Sequence, residues 1–155
     1  MLNADGSKHN GKGGRVSGLF HSLGTIVNGE SFGVAESYVT AATCMEIIGI
    51  PTICAFSSHN LKDVALAWSR KHPDSCLIVF ADNDRHLPTN KGMGCSRAAV
   101  AVVGDRASVI APDFGNRQPA KDESDWNDLV RVVGRDVAER QLSTISSRSE
   151  KLFLS

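Results

Sequence analysis

The sequence of 155 residues predicts an α/β fold in which a mainly parallel, four-stranded central sheet is flanked by helices. The first observation is a set of short apolar runs rich in Val, Ile and Phe, which is typical of strands buried on both faces. The second is that segments with helical spacing separate these runs. Such alternation of strands and helices favours a parallel sheet with right-handed crossovers. The four runs lie at residues 32–35, 51–56, 77–81 and 107–112.

The N-terminal part of the chain is rich in glycine and poor in apolar residues. An Asp-Gly turn and a short strand candidate at residues 13–21 predict a partial hairpin within residues 1–24, as at the end of an upstream segment. A further strand candidate, Thr25–Val27, comes before the first buried run. Three basic residues of this part could touch phosphate, but we interpret them as a solvated loop: Lys8, Lys12 and Arg15.

Two helices are predicted between the first three buried runs. The first covers Tyr38–Ile48, with Ser37 or Thr40 available as its N-cap and Gly49 as its C-terminal glycine. The second covers Leu61–Lys71, where apolar residues recur at positions i, i+3, i+4 and i+7.

Two further helical regions follow the third and fourth runs. A small-residue helix is predicted over Gly92–Val103, and a last helical region begins at Asp125 and is divided by Gly134. The globular domain is predicted to cover residues 25–142, and residues 143–155 are predicted to form a polar C-terminal tail.

Composition places the chain among ordinary globular proteins. It has 17 basic and 17 acidic residues, which argues against a strongly basic nucleic-acid clamp. None of its four cysteines forms a C-x-x-C pair, so we interpret them as buried core residues rather than zinc ligands. The sequence contains neither a signal-peptide pattern nor an apolar span near 18 residues, and a cytoplasmic location without a membrane partner is expected.

Carboxylates follow two of the predicted strands. Asp82 and Asp84 come after the third buried run, and Glu36 comes after the first. Ligands of open α/β sheets bind outside the carboxyl ends of the strands. If the two strands are neighbours, the three acids converge, and a divalent cation such as Mg²⁺ would relieve their repulsion. The alternative is that Asp82 and Asp84 only cap a helix or shape a turn.

A second pair of acids could lie at the same rim. Asp125 and Asp128 begin the last helical region, where they could bind a further ion. Asp125 is equally well explained as the N-cap of that helix.

A glutamate after one strand and an Asp-x-Asp segment after a later strand resemble the signature of TOPRIM domains. The resemblance covers residues 11–140 and is strongest to the domain of phage- and plasmid-encoded primases. Ser37 departs from the pattern, because a glycine usually follows the glutamate. Five blocks carry the resemblance in the family's order: Val34–Ala42, Ala55–Ala65, Ala81–Asp84, Asn90–Gly92 and Asp125–Leu129.

This resemblance implies a Rossmann-like TOPRIM sandwich that carries out nucleotidyl transfer with Mg²⁺ or Mn²⁺ as cofactor. Glu36, Asp82 and Asp84 would be the catalytic acids and metal ligands, with Glu36 acting either as a ligand or as a general base. Asp125 and Asp128 are further candidate metal ligands.

Three residues are candidates for binding the phosphates of the substrate. Lys91 and Gly92 begin a helix whose N-terminus could hold phosphate, although a plain turn explains them equally. Lys62 could face the site, with a solvated helix face as the alternative.

The expected function is the TOPRIM domain of a DNA primase that synthesises RNA primers in plasmid or phage replication. Its partners would be single-stranded DNA, nucleotides and the other domains of a larger primase or primase-helicase. The alternatives are a metal-dependent nuclease and a mobilisation-related nucleic-acid-binding module that is inactive in isolation.

Overall fold

The structure is a computed structural model that describes residues 17–117, 120–121 and 123–153, with side chains described as far as residue 145. Most of the predicted N-terminal hairpin, including Lys8, Lys12 and Arg15, lies outside the described residues.

One five-stranded sheet forms the centre of the fold. Its strand order is β1-β3-β2-β4-β5, and the last four strands in this order are parallel to one another. The predicted α/β fold with a parallel four-stranded sheet is therefore confirmed, and β1 adds an antiparallel edge strand. The strands are β1 (His21–Leu23), β2 (Phe32–Ala35), β3 (Thr52–Cys54), β4 (Leu77–Phe80) and β5 (Ala107–Ile110).

Five α-helices connect or follow these strands. The first begins where Ser37 Oγ accepts a hydrogen bond of 3.0 Å from the Thr40 amide, and it ends at Gly49, whose φ of 72° favours glycine. A single 3₁₀ turn, Ser58–Asn60, precedes the second helix. The helices are α1 (Tyr38–Ile48), α2 (Leu61–Lys71), α3 (Lys91–Val103), α4 (Trp126–Val132) and α5 (Arg135–Phe153).

Each face of the sheet is covered by its own group of helices. Side chains of β4 alternate between the two faces, with Ile78 and Phe80 on one side and Leu77 and Val79 on the other. The first face packs against α1, α4 and α5, and the second against α2 and α3. Three of the four cysteines are buried and all four are free thiols, as the sequence predicts: Cys44, Cys54, Cys76 and Cys95.

The ends of the domain differ from the sequence prediction. The strand candidate Thr25–Val27 is wrong, because this segment is a loop in which Val27 O accepts hydrogen bonds from Glu30 N and Ser75 Oγ. At the other end, α5 continues to Phe153, past the predicted domain boundary at residue 142. In the described part of the chain, no helix combines the length and apolar character needed to cross a membrane.

Candidate metal centre

The ends of β2 and β4 bring Glu36 and Asp82 to the same edge of the sheet. These strands are parallel neighbours, and Ala35 at the end of β2 pairs with Phe80 at the end of β4. Glu36 and Asp82 are therefore one and two residues beyond a shared register position, on strands that lie about 4.8 Å apart. The sequence analysis required these strands to be neighbours, and the structure confirms that they are.

The loop between Asp82 and Asp84 is fixed by the backbone and the side chain of Asn83. Its backbone N–H donates to Ser124 O at 2.7 Å, and its Nδ2 donates to Pro112 O at 3.0 Å. These bonds tie the end of β4 to the segments that follow β5 and precede α4. The direction of the acidic loop is therefore set by two separate parts of the chain.

Asn90 joins this loop to the start of α3. Its Nδ2 donates to Asn83 Oδ1 at 2.7 Å, while its Oδ1 accepts from Asp84 N at 3.0 Å and from Met93 N at 3.3 Å. One amide therefore caps the helix and orients the acidic segment. Sequence reasoning did not single out Asn83 or Asn90 for these roles, although an Asn one residue before a helix is a recognisable cap signal.

The side chain of Asp84 contacts the start of α3. Its Oδ2 accepts a 3.0 Å hydrogen bond from the backbone N–H of Gly92. A Cβ on Gly92 would lie 2.6 Å from Asp82 O and 3.0 Å from Asp82 Cβ, so only glycine allows the helix to approach this closely. The Gly92 amide, predicted to hold phosphate, is thus already used by a carboxylate.

Asp125 and Asp128 form a capping box at the start of α4. Asp125 Oδ1 accepts from Asp128 N at 2.8 Å, and Asp128 Oδ2 accepts from Asp125 N at 3.3 Å. Asp128 Oδ1 also pairs with Arg131 at 3.1 Å. The alternative reading of Asp125 as an N-cap is therefore confirmed, whereas a metal-binding role for either acid stays a prediction.

Charge is concentrated on the α1 side of this edge. Burial raises the pKa of the Asp125 carboxyl, although a backbone hydrogen bond from Asp128 opposes this and the charge of Asp128 adds to it. Burial also raises the pKa of the Cys44 thiol well above its usual range, and the charges of Asp125 and Asp82 raise it further. Both carboxylates therefore lie within electrostatic reach of one buried sulfur.

The predicted acids share a rim, but they do not form one closed ligand cluster. Among the described residues, no three His, Cys, Asp or Glu side chains are grouped so that they could hold a metal ion. Asp84, Asp125 and Asp128 each accept at least one backbone hydrogen bond. Two strand-end carboxylates still suit Mg²⁺, which is usually bound by one or two carboxylates together with substrate phosphates rather than by an all-protein cage.

Three basic side chains lie in the segments that follow β3 and β4, and they differ in exposure. Lys62 and Lys91, the predicted phosphate ligands, are both exposed in the first turns of α2 and α3. Arg85, which sequence reasoning missed, donates from Nη1 to Gly115 O at 3.2 Å and lies 5.5 Å from the centre of the Phe114 ring. Its buried Nε and Nη2 atoms make no hydrogen bond within the described structure. Arginine binds an oxyanion with two such parallel N–H groups.

Comparisons with known proteins agree with this geometry. A protein-family model described as a Toprim domain matches residues 31–136. Two relatives named DNA primase TraC, both from Escherichia coli, are 35% and 34% identical to this chain over 120 residues. These alignments cover 72% of this chain but only 8% and 11% of the relatives, so the chain spans about a tenth of their length.

A solved structure shares the fold. The primase fragment of the bacteriophage T7 primase-helicase protein matches with a TM-score of 0.50 and 16% identity, over 74% of this chain and 44% of that chain. The family match includes the strand ends that carry Glu36 and Asp82 as well as the acidic loop. The resemblance to the TOPRIM domain of phage and plasmid primases is confirmed, and the chain belongs to the Toprim domain family.

Proposed function

We propose that this chain is the Mg²⁺-dependent nucleotidyl-transfer domain of a DNA primase that makes RNA primers on single-stranded DNA. The observation that carries the proposal is the placing of Glu36 and Asp82 at the ends of neighbouring parallel strands. This edge is where open α/β sheets bind their ligands. The primases among the relatives support the reaction class, and their greater length supports further primase or helicase domains as partners.

In this proposal, Asp82 and Asp84 would hold the cation directly or through water. A bound Mg²⁺ would neutralise charge on the triphosphate while phosphoryl transfer takes place. Asp84 is held by the Gly92 amide, so its other oxygen is presented in a fixed direction. Glu36 serves either as a further ligand or as the base that accepts the proton of the attacking 3′-hydroxyl.

Phosphate binding would come from the cations around the acidic loop. Attack of the primer 3′-hydroxyl on the α-phosphorus of a ribonucleoside triphosphate releases pyrophosphate, whose charge must be balanced near the site. Lys62 and Lys91 supply mobile positive charges at the rim. Arg85, one residue after Asp84, adds a positive charge, although its Nε and Nη2 atoms are buried.

A metal titration tests the proposal. We expect wild-type protein to bind Mn²⁺ in the presence of a non-hydrolysable ribonucleoside triphosphate, and Asp82→Asn to lose this binding while remaining folded. Glu36→Gln should weaken the binding, because a neutral amide leaves the charge of the cation uncompensated. Electron paramagnetic resonance of free Mn²⁺ gives the affinity, and circular dichroism checks the fold.

Asp105→Asn is the matched control, because Asp105 is an exposed acid in the turn before β5, at the opposite edge of the sheet. Equal Mn²⁺ affinity in the wild type and the three variants would contradict the proposal. Primer synthesis from ribonucleotides by the wild-type chain, lost in Asp82→Asn, would identify a primase. Nicking of DNA without primer synthesis would instead identify a nuclease.

A further inference from the structure

Phe56 has an unusual backbone and an unusual environment. Among the described residues, it is the one non-glycine residue with a positive φ, at 62°. Its side chain is 51% exposed. A bulky residue in the left-handed region is strained, and such strain is concentrated at functional sites. An exposed ring contributes little burial to offset that strain, so the stability of the fold does not explain Phe56.

Phe56 lies beside the acidic strand ends. It is two residues beyond the end of β3, where Cys54 pairs with Ala35 of β2. By this register Phe56 is level with Ser37, the residue after Glu36. Tyr38, at the first position of α1, is also 52% exposed. Two exposed aromatic rings therefore flank the edge that carries the proposed metal ligands.

A cavity of about 170 Å³ opens at Ser57, the residue after Phe56. Asn60 in its wall is structural, because its Nδ2 donates to Leu19 O at 2.7 Å and to Ala55 O at 2.9 Å. Three of the other lining side chains offer a hydroxyl, an imidazole and a carboxylate that can bond to a polar ligand: Ser57, His59 and Asp63. Hydrogen-bonding groups therefore begin one residue after the exposed ring of Phe56.

We propose that Phe56 is a stacking platform for a nucleobase, and that the adjoining cavity receives the polar rim of that base. Base stacking needs a ring with an open face, and it is tolerant of sequence because every base has a π-face. The inference rests on the proposed function in one respect, which is that nucleotides reach this edge of the sheet. The base belongs either to the incoming nucleotide or to the single-stranded template.

The test compares three variants at Phe56 in the full chain, in EDTA so that metal binding plays no part. Phe56→Ala removes the ring and keeps the strain, Phe56→Gly removes both, and Phe56→Tyr keeps the ring. Fluorescence anisotropy measures binding of a short single-stranded oligodeoxynucleotide and of an abasic oligonucleotide of equal charge. Calorimetry measures binding of ATP. Val102→Ala, at an exposed position near the far end of α3, is the control.

We expect Phe56→Ala and Phe56→Gly to weaken binding of the oligonucleotide, of ATP or of both by about 5- to 150-fold, with Phe56→Tyr close to wild type. A loss confined to the oligonucleotide identifies a template base, and a loss confined to ATP identifies the incoming base. Binding of the abasic oligonucleotide should not change. Phe56→Gly should unfold at a higher urea concentration than Phe56→Ala, because glycine accepts the positive φ.

Unchanged affinities of Phe56→Ala and Phe56→Gly for both ligands would overturn the inference. Wild-type binding that is equal for the normal and abasic oligonucleotides, together with no detectable binding of ATP, would do the same. EDTA removes the cation, so these affinities do not report on Asp82 as a metal ligand. A failure of the metal proposal therefore appears in the Mn²⁺ titration. A failure of the stacking proposal appears only in the binding measurements in EDTA.

Discussion

Gly92 contacts both acids of the Asp-x-Asp segment. Its amide bonds to Asp84, and the space left by its missing side chain is filled by the backbone of Asp82. We predict that Gly92→Ala lowers the free energy of unfolding by about 1–3 kcal/mol, because the added Cβ forces the helix and loop apart. Urea denaturation measures this change.

Gly94→Ala is the matched control in the same helix. A Cβ there meets nothing within 4 Å, so the substitution should raise the free energy of unfolding by about 0.5–1 kcal/mol through helix propensity alone. If both substitutions were stabilising, the close approach between α3 and Asp82 would be disproved.

The strand-end acids could be predicted from the sequence, and Asn90 carries a local signal as a helix cap, but the bonds that orient the acids could not be predicted. Glu36 and Asp82 follow apolar runs whose burial fixes their place at the ends of strands. Asn83 and Asn90 act through bonds between loops, such as that from Asn83 to Pro112, 29 residues further on. No periodicity marks such contacts, because they depend on where the folded strands bring the loops together.

At the scale of elements, variants at the start of α4 can distinguish a structural role of Asp125 from a metal-binding role. Its carboxylate caps the helix by accepting the Asp128 N–H at 2.8 Å. Asparagine caps almost as well as aspartate, whereas alanine does not. We predict that Asp125→Ala lowers the free energy of unfolding by about 0.5–2 kcal/mol and that Asp125→Asn changes it little.

The same pair of variants tests the metal prediction for Asp125. If the carboxylate serves only as a cap, Asp125→Asn should bind Mn²⁺ with wild-type affinity in the presence of the nucleotide analogue. A large loss of Mn²⁺ affinity in a variant that keeps its stability would instead assign Asp125 to the metal site. Urea denaturation measures the free energy of unfolding, and the Mn²⁺ titration measures the metal affinity.

The edge strand is an element that local sequence could not predict. Thr25–Val27 has the β-branched residues expected of a strand, yet the strand forms at His21–Leu23. Pairing of β1 with β3 decides its position, and this contact joins residues about 30 positions apart. By contrast, α1 and α2 occupy the predicted ranges, because the caps of α1 and the apolar spacing of α2 are local signals.

For the whole molecule, β1 is the first described strand, and it belongs to the central sheet. It covers the outer edge of β3, and Leu23 packs against the core on the α1 side. We predict that a chain beginning at residue 25, the boundary expected from sequence, is less stable than a chain beginning at residue 17. Loss of Leu23 alone should lower the free energy of unfolding by about 1 kcal/mol.

The shortened chain should also associate, because an uncovered edge strand presents unpaired N–H and C=O groups to other molecules. Sedimentation velocity would then show oligomers that increase with protein concentration, while the chain beginning at residue 17 stays monomeric. Equal stability and equal sedimentation of the two chains would place the boundary of the domain at residue 25 and would make β1 an accessory strand. If the two chains differ in both stability and sedimentation, β1 belongs to the domain. The segment before β2 then contributes to the sheet whose carboxyl edge carries Glu36 and Asp82.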